Sequence, residues 1–243
     1  MAKHACSISY GSRARIGVIL PSGNRAAEPQ FARMTPSGVT LHVTRLGLTG
    51  TSEEDLLAMT RDVESAAQLL NDVDPALILF HCTAVSTYSM ELEASIIQRI
   101  RDASGRNATA TSQAITAALR ALKAKRIVML SPYPDPIHMK EIQFLQASGF
   151  EVVGEARIPC PSVTHMMAVT PEQWQELVLE NRHADADAYL LSCTAVRTAE
   201  VVHTLESVLE RPVITSNTCA MWHCLRTLGI DDAVDGFGRL FSL

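Results

Sequence analysis

The sequence predicts an α/β protein built from two similar doubly wound parallel-sheet halves, related by a pseudo-two-fold axis, with an active site in the cleft between them. Three observations carry this. Short apolar, β-branched runs alternate with helically spaced segments along the chain, the pattern of a parallel sheet covered on both faces. The tetrapeptide CTAV occurs twice, in LFHCTAVSTY (79–88) and LLSCTAVRTA (190–199), each time closing an apolar run. An offset of 111 residues lays Cys82 on Cys193, Ile16 on Ile127, Pro21 on Pro132 and the run 39–46 on 150–158, as an internal duplication does.

The elements follow in order. RIGVIL (15–20) is a strand stopped by Pro21, and 25–34 carries helical spacing. VTLHVTRL (39–46) alternates and is β-branched, so it reads as a strand. Thr51 with Glu54 predicts a capping box opening a helix to about Asn71. ALILFHC (76–82) is a buried strand, followed by a helix from Met90 to Ala103, a short strand in NATATS and a helix from Gln113 to Lys123. The pattern then restarts with strand RIVMLS (126–131), a helix over 137–148 stopped by Gly149, and strand FEVVGEARI (150–158). A helix over 171–182 is entered through Thr170 and Pro171. Strand AYLLSC (188–193), a helix from Arg197 to Leu209, strand PVITS (212–216) and a helix over 218–228 complete the second copy. A smaller offset of 104 brings Thr111-Ser112 onto Thr215-Ser216. The halves are therefore residues 1–112 and 113–243, with the C-terminal segment 218–243 expected to pack back on the first half.

Composition narrows the function. The 243-residue chain carries a formal net charge of −5 and no basic cluster, which argues against a nucleic-acid partner. No apolar stretch reaches the roughly 18 residues of a membrane span. The start, MAKHACSISYGSRAR, lacks a signal-peptide apolar region, so a cytoplasmic location is expected. The six cysteines form no CxxC pair and no two histidines stand at ligand spacing, so no metal is expected. Cys219 and Cys224, with His223 beside them, read as packed thiols. Cys6 and Cys160 read as structural or incidental, Trp174 and Trp222 as core or interface anchors, and His81 as packing on the strand face opposite Cys82.

The repeated strand ends carry the chemistry. Ligands of open parallel sheets bind outside the carboxyl ends of the strands. Two halves facing across one cleft bring Cys82 and Cys193 to opposite sides of a ligand, as an acid/base or nucleophile/acid pair. A thiol of ordinary pKa near 8.5 needs help to ionise, and N–H groups at a strand end before a helix supply it. The same N–H groups, with the Thr83 and Thr194 hydroxyls, suit a substrate carboxylate.

At these residues the chain resembles the aspartate/glutamate racemase superfamily, and within it the maleate cis-trans isomerase and arylmalonate decarboxylase group. The resemblance rests on RIGVILPSGN, the two Cys-Thr strand ends, TATSQAITAALRALKAKRIVMLSPY, LLSCTAVRT, PVITSNTCAMWHCLRTLGI and the closing GFGRL. It implies a small carboxylate substrate, no metal or organic cofactor, and a homodimer or larger assembly. Isomerases and racemases of the group carry both thiols, whereas the decarboxylase type has glycine at the first position. Cysteine at both therefore favours a maleate-to-fumarate type of isomerase, with an amino-acid-type racemase and a malonate-type decarboxylase as alternatives. The resemblance implies that Asn24 and Tyr133 donate to the substrate, with Pro21 and Ser22 shaping the first loop. Thr111, Ser112, Ser216 and Asn217 stand at further strand ends. One loop departs from the isomerase pattern: IPCPSVTHMMAVTP has no asparagine, and Val163, Thr164 and His165 lie there instead, Val163 and Thr164 being expected to contact substrate. Ala84 stands where the group's decarboxylases carry a serine donor.

Overall fold

The computed structural model describes residues 8–243, so Cys6 lies outside the described residues. Strands β1 (Ala14–Pro21), β2 (Val39–Leu46), β3 (Leu77–Phe80) and β4 (Ala108–Ala110) form one parallel sheet in the order β2-β1-β3-β4. Strands β5 (Arg126–Ser131), β6 (Glu151–Arg157), β7 (Ala188–Leu191) and β8 (Val213–Thr215) form a second in the order β6-β5-β7-β8. The second sheet thus repeats the first strand for strand. Ile16 pairs with Leu77 as Ile127 pairs with Ala188, which is the offset of 111. At the last strand the offset is 105, not 104: Phe80 pairs with Ala110 and Leu191 with Thr215. The connection into β8 is shorter than that into β4, so Thr111 corresponds to Ser216 and Ser112 to Asn217.

Alternation along the strands sorts the core into two layers. Ile16, Val18, Leu20, Leu77 and Leu79 join Ile127, Met129, Ala188 and Leu190 in one buried cluster. That cluster takes in helices α6 (Thr111–Ala121) and α11 (Ser216–Thr227) of the two halves. Here α6 packs on α11, and α11 also meets β3 and α1 (Ala27–Met34), so the last long helix lies against the first half. Ile19, Ile78, Phe80, Val128, Leu130, Tyr189 and Leu191 point the other way into a second cluster. It includes Trp174, which is fully buried on helix α9 (Pro171–Glu180). Trp222 and the buried Cys219 and Cys224 belong to the shared layer, and His223 Nε2 lies 3.1 Å from Thr109 Oγ1. Among the described residues no three His, Cys, Asp or Glu side chains cluster to hold a metal ion, and no helix is long and apolar enough to cross a membrane.

Helix ends differ from expectation where side chains compete for the cap. The helix expected from Thr51 to Asn71 is broken into α2 (Glu53–Met59), a 3₁₀ turn at Thr60–Asp62 and α3 (Val63–Asn71). Its capping box is Ser52 with Asp55, because the Thr51 hydroxyl donates instead to the Pro161 carbonyl at 3.1 Å. Two short helices add to the expected set: α4 (Thr83–Ser86), directly after Cys82, and α8 (Val163–Ala168), inside the departing loop. Neither is long enough to display a helical period. Of the remaining helices, α10 (Val202–Leu209) lies within its predicted segment, α5 (Met90–Ser104) runs one residue past it and α7 (Asp135–Ala147) begins two residues before it.

Candidate active site

Both sheets place strand β1 or β5 beside strand β3 or β7 at the point where the winding direction reverses. Loops leaving such a pair diverge and open a crevice. The loops after β1, β3, β5 and β7, joined by the segments that follow β2 and β6, meet around one cavity of about 40 Å³. That is room for a few water-sized groups. Asn24, Cys82, Thr83, Tyr133, Cys193 and Thr194 form its polar side. Leu48, Leu56, Ile137, Val163 and Met166 form an apolar wall, and among the described residues no Lys or Arg lines it.

The two thiols are equivalent by position and different in setting. Cys82 has extended backbone (φ −147°) and precedes α4, whose Ala84 and Val85 N–H groups point at its sulfur. Burial pushes this thiol up to about 11, and those two N–H bonds partly offset it. Cys193 has φ +114°, in the left-handed region that L-residues avoid. That turn lets its own N–H donate to Ser216 Oγ at 3.0 Å while the Ala195 N–H donates to its sulfur at 3.3 Å. Burial pushes Cys193 up to about 12; the Tyr133 hydroxyl and the Ala195 N–H lower it, and the charges of Cys82 and Glu141 raise it. The Tyr133 phenol is held well above its ordinary value by burial and then by the Cys193 charge. Met166 Sδ closes the far side of Cys193 at 4.0 Å from Sγ.

Hydrogen bonds between the halves fix this geometry. Ser216 Oγ accepts from Thr83 Oγ1 at 2.8 Å and from the Cys193 N–H, so one buried hydroxyl ties both Cys-Thr strand ends together. Asn24 Oδ1 accepts from the Ala26 and Ala27 N–H groups at 3.0 Å each, at the start of α1. Its Nδ2 donates to Thr194 O at 3.1 Å and Thr194 Oγ1 at 3.0 Å. Both amide hydrogens of Asn24 are therefore taken within the protein, against the expectation that they meet a substrate carboxylate. Likewise the Thr83 hydroxyl donates to Ser216, whereas Thr194 Oγ1 accepts from Asn24 and keeps its own proton for the cavity.

Of the residues singled out from the sequence, Pro21, Asn24, Cys82, Thr83, Tyr133, Val163, Cys193 and Thr194 line the cavity. Ser22 does not: its hydroxyl accepts the Leu48 N–H at 3.0 Å and braces the loop from outside. Thr164 is exposed on the outer face of α8, because a helix there turns Val163 and Met166 inward and Thr164 and His165 outward. Ser162 caps α8, and its Oγ lies 2.8 Å from His165 Nδ1. Neither Thr111 nor Ser112 lines the cavity: Thr111 Oγ1 lies 3.0 Å from His81 Nδ1, and the Ser112 N–H donates to Ser86 Oγ at 3.1 Å. Sequence reasoning misses Glu141 altogether. It is fully buried, and Ser192 Oγ lies 2.6 and 2.8 Å from its two carboxylate oxygens. Burial pushes it up to about 7, partly offset by that bond. The one signal for it is an acidic residue on the apolar stripe Ile137, Glu141, Phe144, Leu145 of helix α7.

Fold and site together define a two-lobed α/β enzyme with a pair of buried strand-end thiols facing one small cavity. The model of the arylmalonate decarboxylase family matches residues 16–241. The chain belongs to that family. It is similar to the maleate isomerase of Nocardia farcinica, with 26% identity over 93% of this chain and 94% of that one. It is also similar to the arylmalonate decarboxylase of Bordetella bronchiseptica, with 27% identity over 97% and 99%. The structure of a cysteine variant of the Nocardia farcinica maleate cis-trans isomerase, holding a covalently bound succinylcysteine intermediate, overlays at a TM-score of 0.89. That comparison has 24% identity and covers 94% of this chain and 98% of that one.

Proposed function

We propose that this chain is a cofactor-independent cis-trans isomerase of a small dicarboxylate, of the maleate-to-fumarate type. The observation that carries the reading is that Cys82 and Cys193 enter one cavity from the two halves. A Cys82 thiolate adds to one alkene carbon, and the π pair moves to the neighbouring carbon and its carboxylate as an enediolate. Cys193 delivers its proton to that carbon, leaving a saturated thioether whose central C–C bond rotates. Cys193 then takes a proton back, the C–S bond breaks and the trans alkene forms. The Ala84, Val85 and Ala195 N–H groups hold each sulfur when it is anionic, and Tyr133 donates to Cys193. Burial raises both thiols, and the N–H groups aimed at each sulfur oppose that rise.

The test is fumarate formation from maleate by the purified protein, beside Cys82→Ala and Cys193→Ala. Conversion by the parent that vanishes in both variants supports the reading. A parent that binds maleate without converting it refutes it.

The apolar wall favours a second reading. Leu48, Leu56, Ile137, Val163 and Met166 suit a hydrocarbon substituent better than a second carboxylate. A racemase of an α-substituted acid, or a decarboxylase of a substituted malonate, would use that wall. Deuterium uptake at the α-carbon of such acids, without any action on maleate, would favour it. A homodimer or larger assembly and a cytoplasmic location complete the proposal. The free buried thiols among the described residues support a reducing compartment.

A further inference from the structure

The internal duplication exposes an asymmetry beneath the two thiols. The offset of 111 lays Ser192 on His81 and Glu141 on Gln30; Ser192 bonds Glu141 directly, whereas His81 meets Gln30 only through Asn217. Beneath Cys82 the relay is uncharged. His81 Nε2 lies 2.8 Å from Asn217 Oδ1, Asn217 Nδ2 donates to Gln30 Oε1 at 2.6 Å, and Gln30 Nε2 donates to Val196 O at 2.8 Å. Burial lowers His81 to about 4, which keeps it neutral. Beneath Cys193 the relay is Ser192 and the fully buried carboxyl of Glu141.

We propose that Glu141 is a positioning residue whose negative charge adds to burial in holding Cys193 protonated, leaving Cys82 as the thiol that ionises and adds. The assignment of these roles rests on the isomerase reading above; the electrostatic effect itself does not. Three observations support it. Burial is the first cause that raises Cys193 and Tyr133, and the charge on Glu141 adds to it, whereas Cys82 is raised by burial without that charge. Ser192 joins Glu141 directly to the backbone that carries Cys193. The groups facing Cys193 from its neighbours are Tyr133 after β5, Cys82 after β3 and the uncharged Met166 of α8, so among the described residues no cation cancels the carboxylate. One turn earlier on α7, His138 turns instead to Ser131 and Glu155.

The test reads thiol reactivity, not turnover, so its failure is separable from failure of the isomerase reading. The rate of Cys193 alkylation by iodoacetamide is followed by peptide mass spectrometry from pH 5 to 9 in the full chain. Parent and Glu141→Gln are expected to coincide at pH 5, where the carboxyl is protonated. At pH 9 the variant is expected to react about tenfold faster, the equivalent of about one pKa unit. Cys82 reactivity stays unchanged. Ser192→Ala, which strips the carboxylate of its hydrogen bond and raises its pKa, moves the point of divergence to higher pH. Superimposable profiles, or a ratio constant across pH as a purely structural change gives, overturn the proposal.

Discussion

Replacing each strand-end cysteine by alanine and by glycine tests the backbone geometry of the site, with opposite signs at the two positions. Cys193 sits at φ +114° and Cys82 at φ −147°. A side chain held in a sparsely populated region costs about 1–3 kcal/mol. Glycine at Cys193 releases that strain, while alanine keeps the Cβ and the strain. Against this, glycine adds about 0.4–1 kcal/mol of unfolded-chain entropy. It also forfeits part of the roughly 0.8 kcal/mol of one buried methyl, because the Cβ borders the cavity. The balance leaves Cys193→Gly more stable than Cys193→Ala by about 1 kcal/mol, or about 2–4 °C in Tm for a chain of this size. At Cys82 there is no strain to release and the same two penalties stand. Cys82→Gly is therefore less stable than Cys82→Ala by about 1 kcal/mol. Thermal unfolding of the four variants side by side decides the matter, since none retains the altered thiol. Glycine losing to alanine at both positions would refute the claim that Cys193 is held in a strained turn.

Two further predictions concern the buried polar contacts. Ser216→Ala removes the hydroxyl that accepts from Thr83 and from the Cys193 N–H; it should lower stability by about 2 kcal/mol, read as a shift in the urea midpoint, since it orphans a buried N–H. A shift under about 0.5 kcal/mol would mean that the two strand ends hold their geometry without the bridge. Glu141 gives a pH dependence of defined sign. Its folded value is raised from 4.5 to about 7, first by burial. Below 4.5 both folded and unfolded chains hold the proton; between 4.5 and about 7 only the folded chain does, so stability falls as pH rises through this window. The loss amounts to about 3 kcal/mol and is complete above the window. Urea unfolding of the parent and Glu141→Gln should diverge by that amount between pH 4.5 and 8, and parallel curves would contradict the raised value.

Much of this architecture is legible in the sequence because it is periodic. The strands are short apolar runs whose register repeats at a fixed offset, and the repeat alone singles out Cys82 and Cys193 as equivalent strand ends. Helix boundaries are legible only where one side chain has no rival for the cap. Thr170 caps α9 as expected, whereas Thr51 surrenders the cap of α2 to Ser52 because a carbonyl from the second half claims its hydroxyl. The short helices α4 and α8 carry no period to read, yet α8 decides that Val163 faces the cavity and Thr164 faces solvent.

The sequence by itself determined the two α/β halves, the strand-end thiols and the loops that surround them, because alternation, turn residues and internal repetition are local properties of the chain. Only the tertiary structure decided what those side chains do with their hydrogens. Asn24 gives both amide hydrogens to Thr194, 170 residues away, and Thr83 gives its hydroxyl to Ser216, 133 residues away. Glu141 receives the hydroxyl of Ser192, 51 residues away, directly beneath Cys193. Hydrogen-bond satisfaction and burial depend on which distant segment arrives beside a group, and no local pattern encodes that arrival.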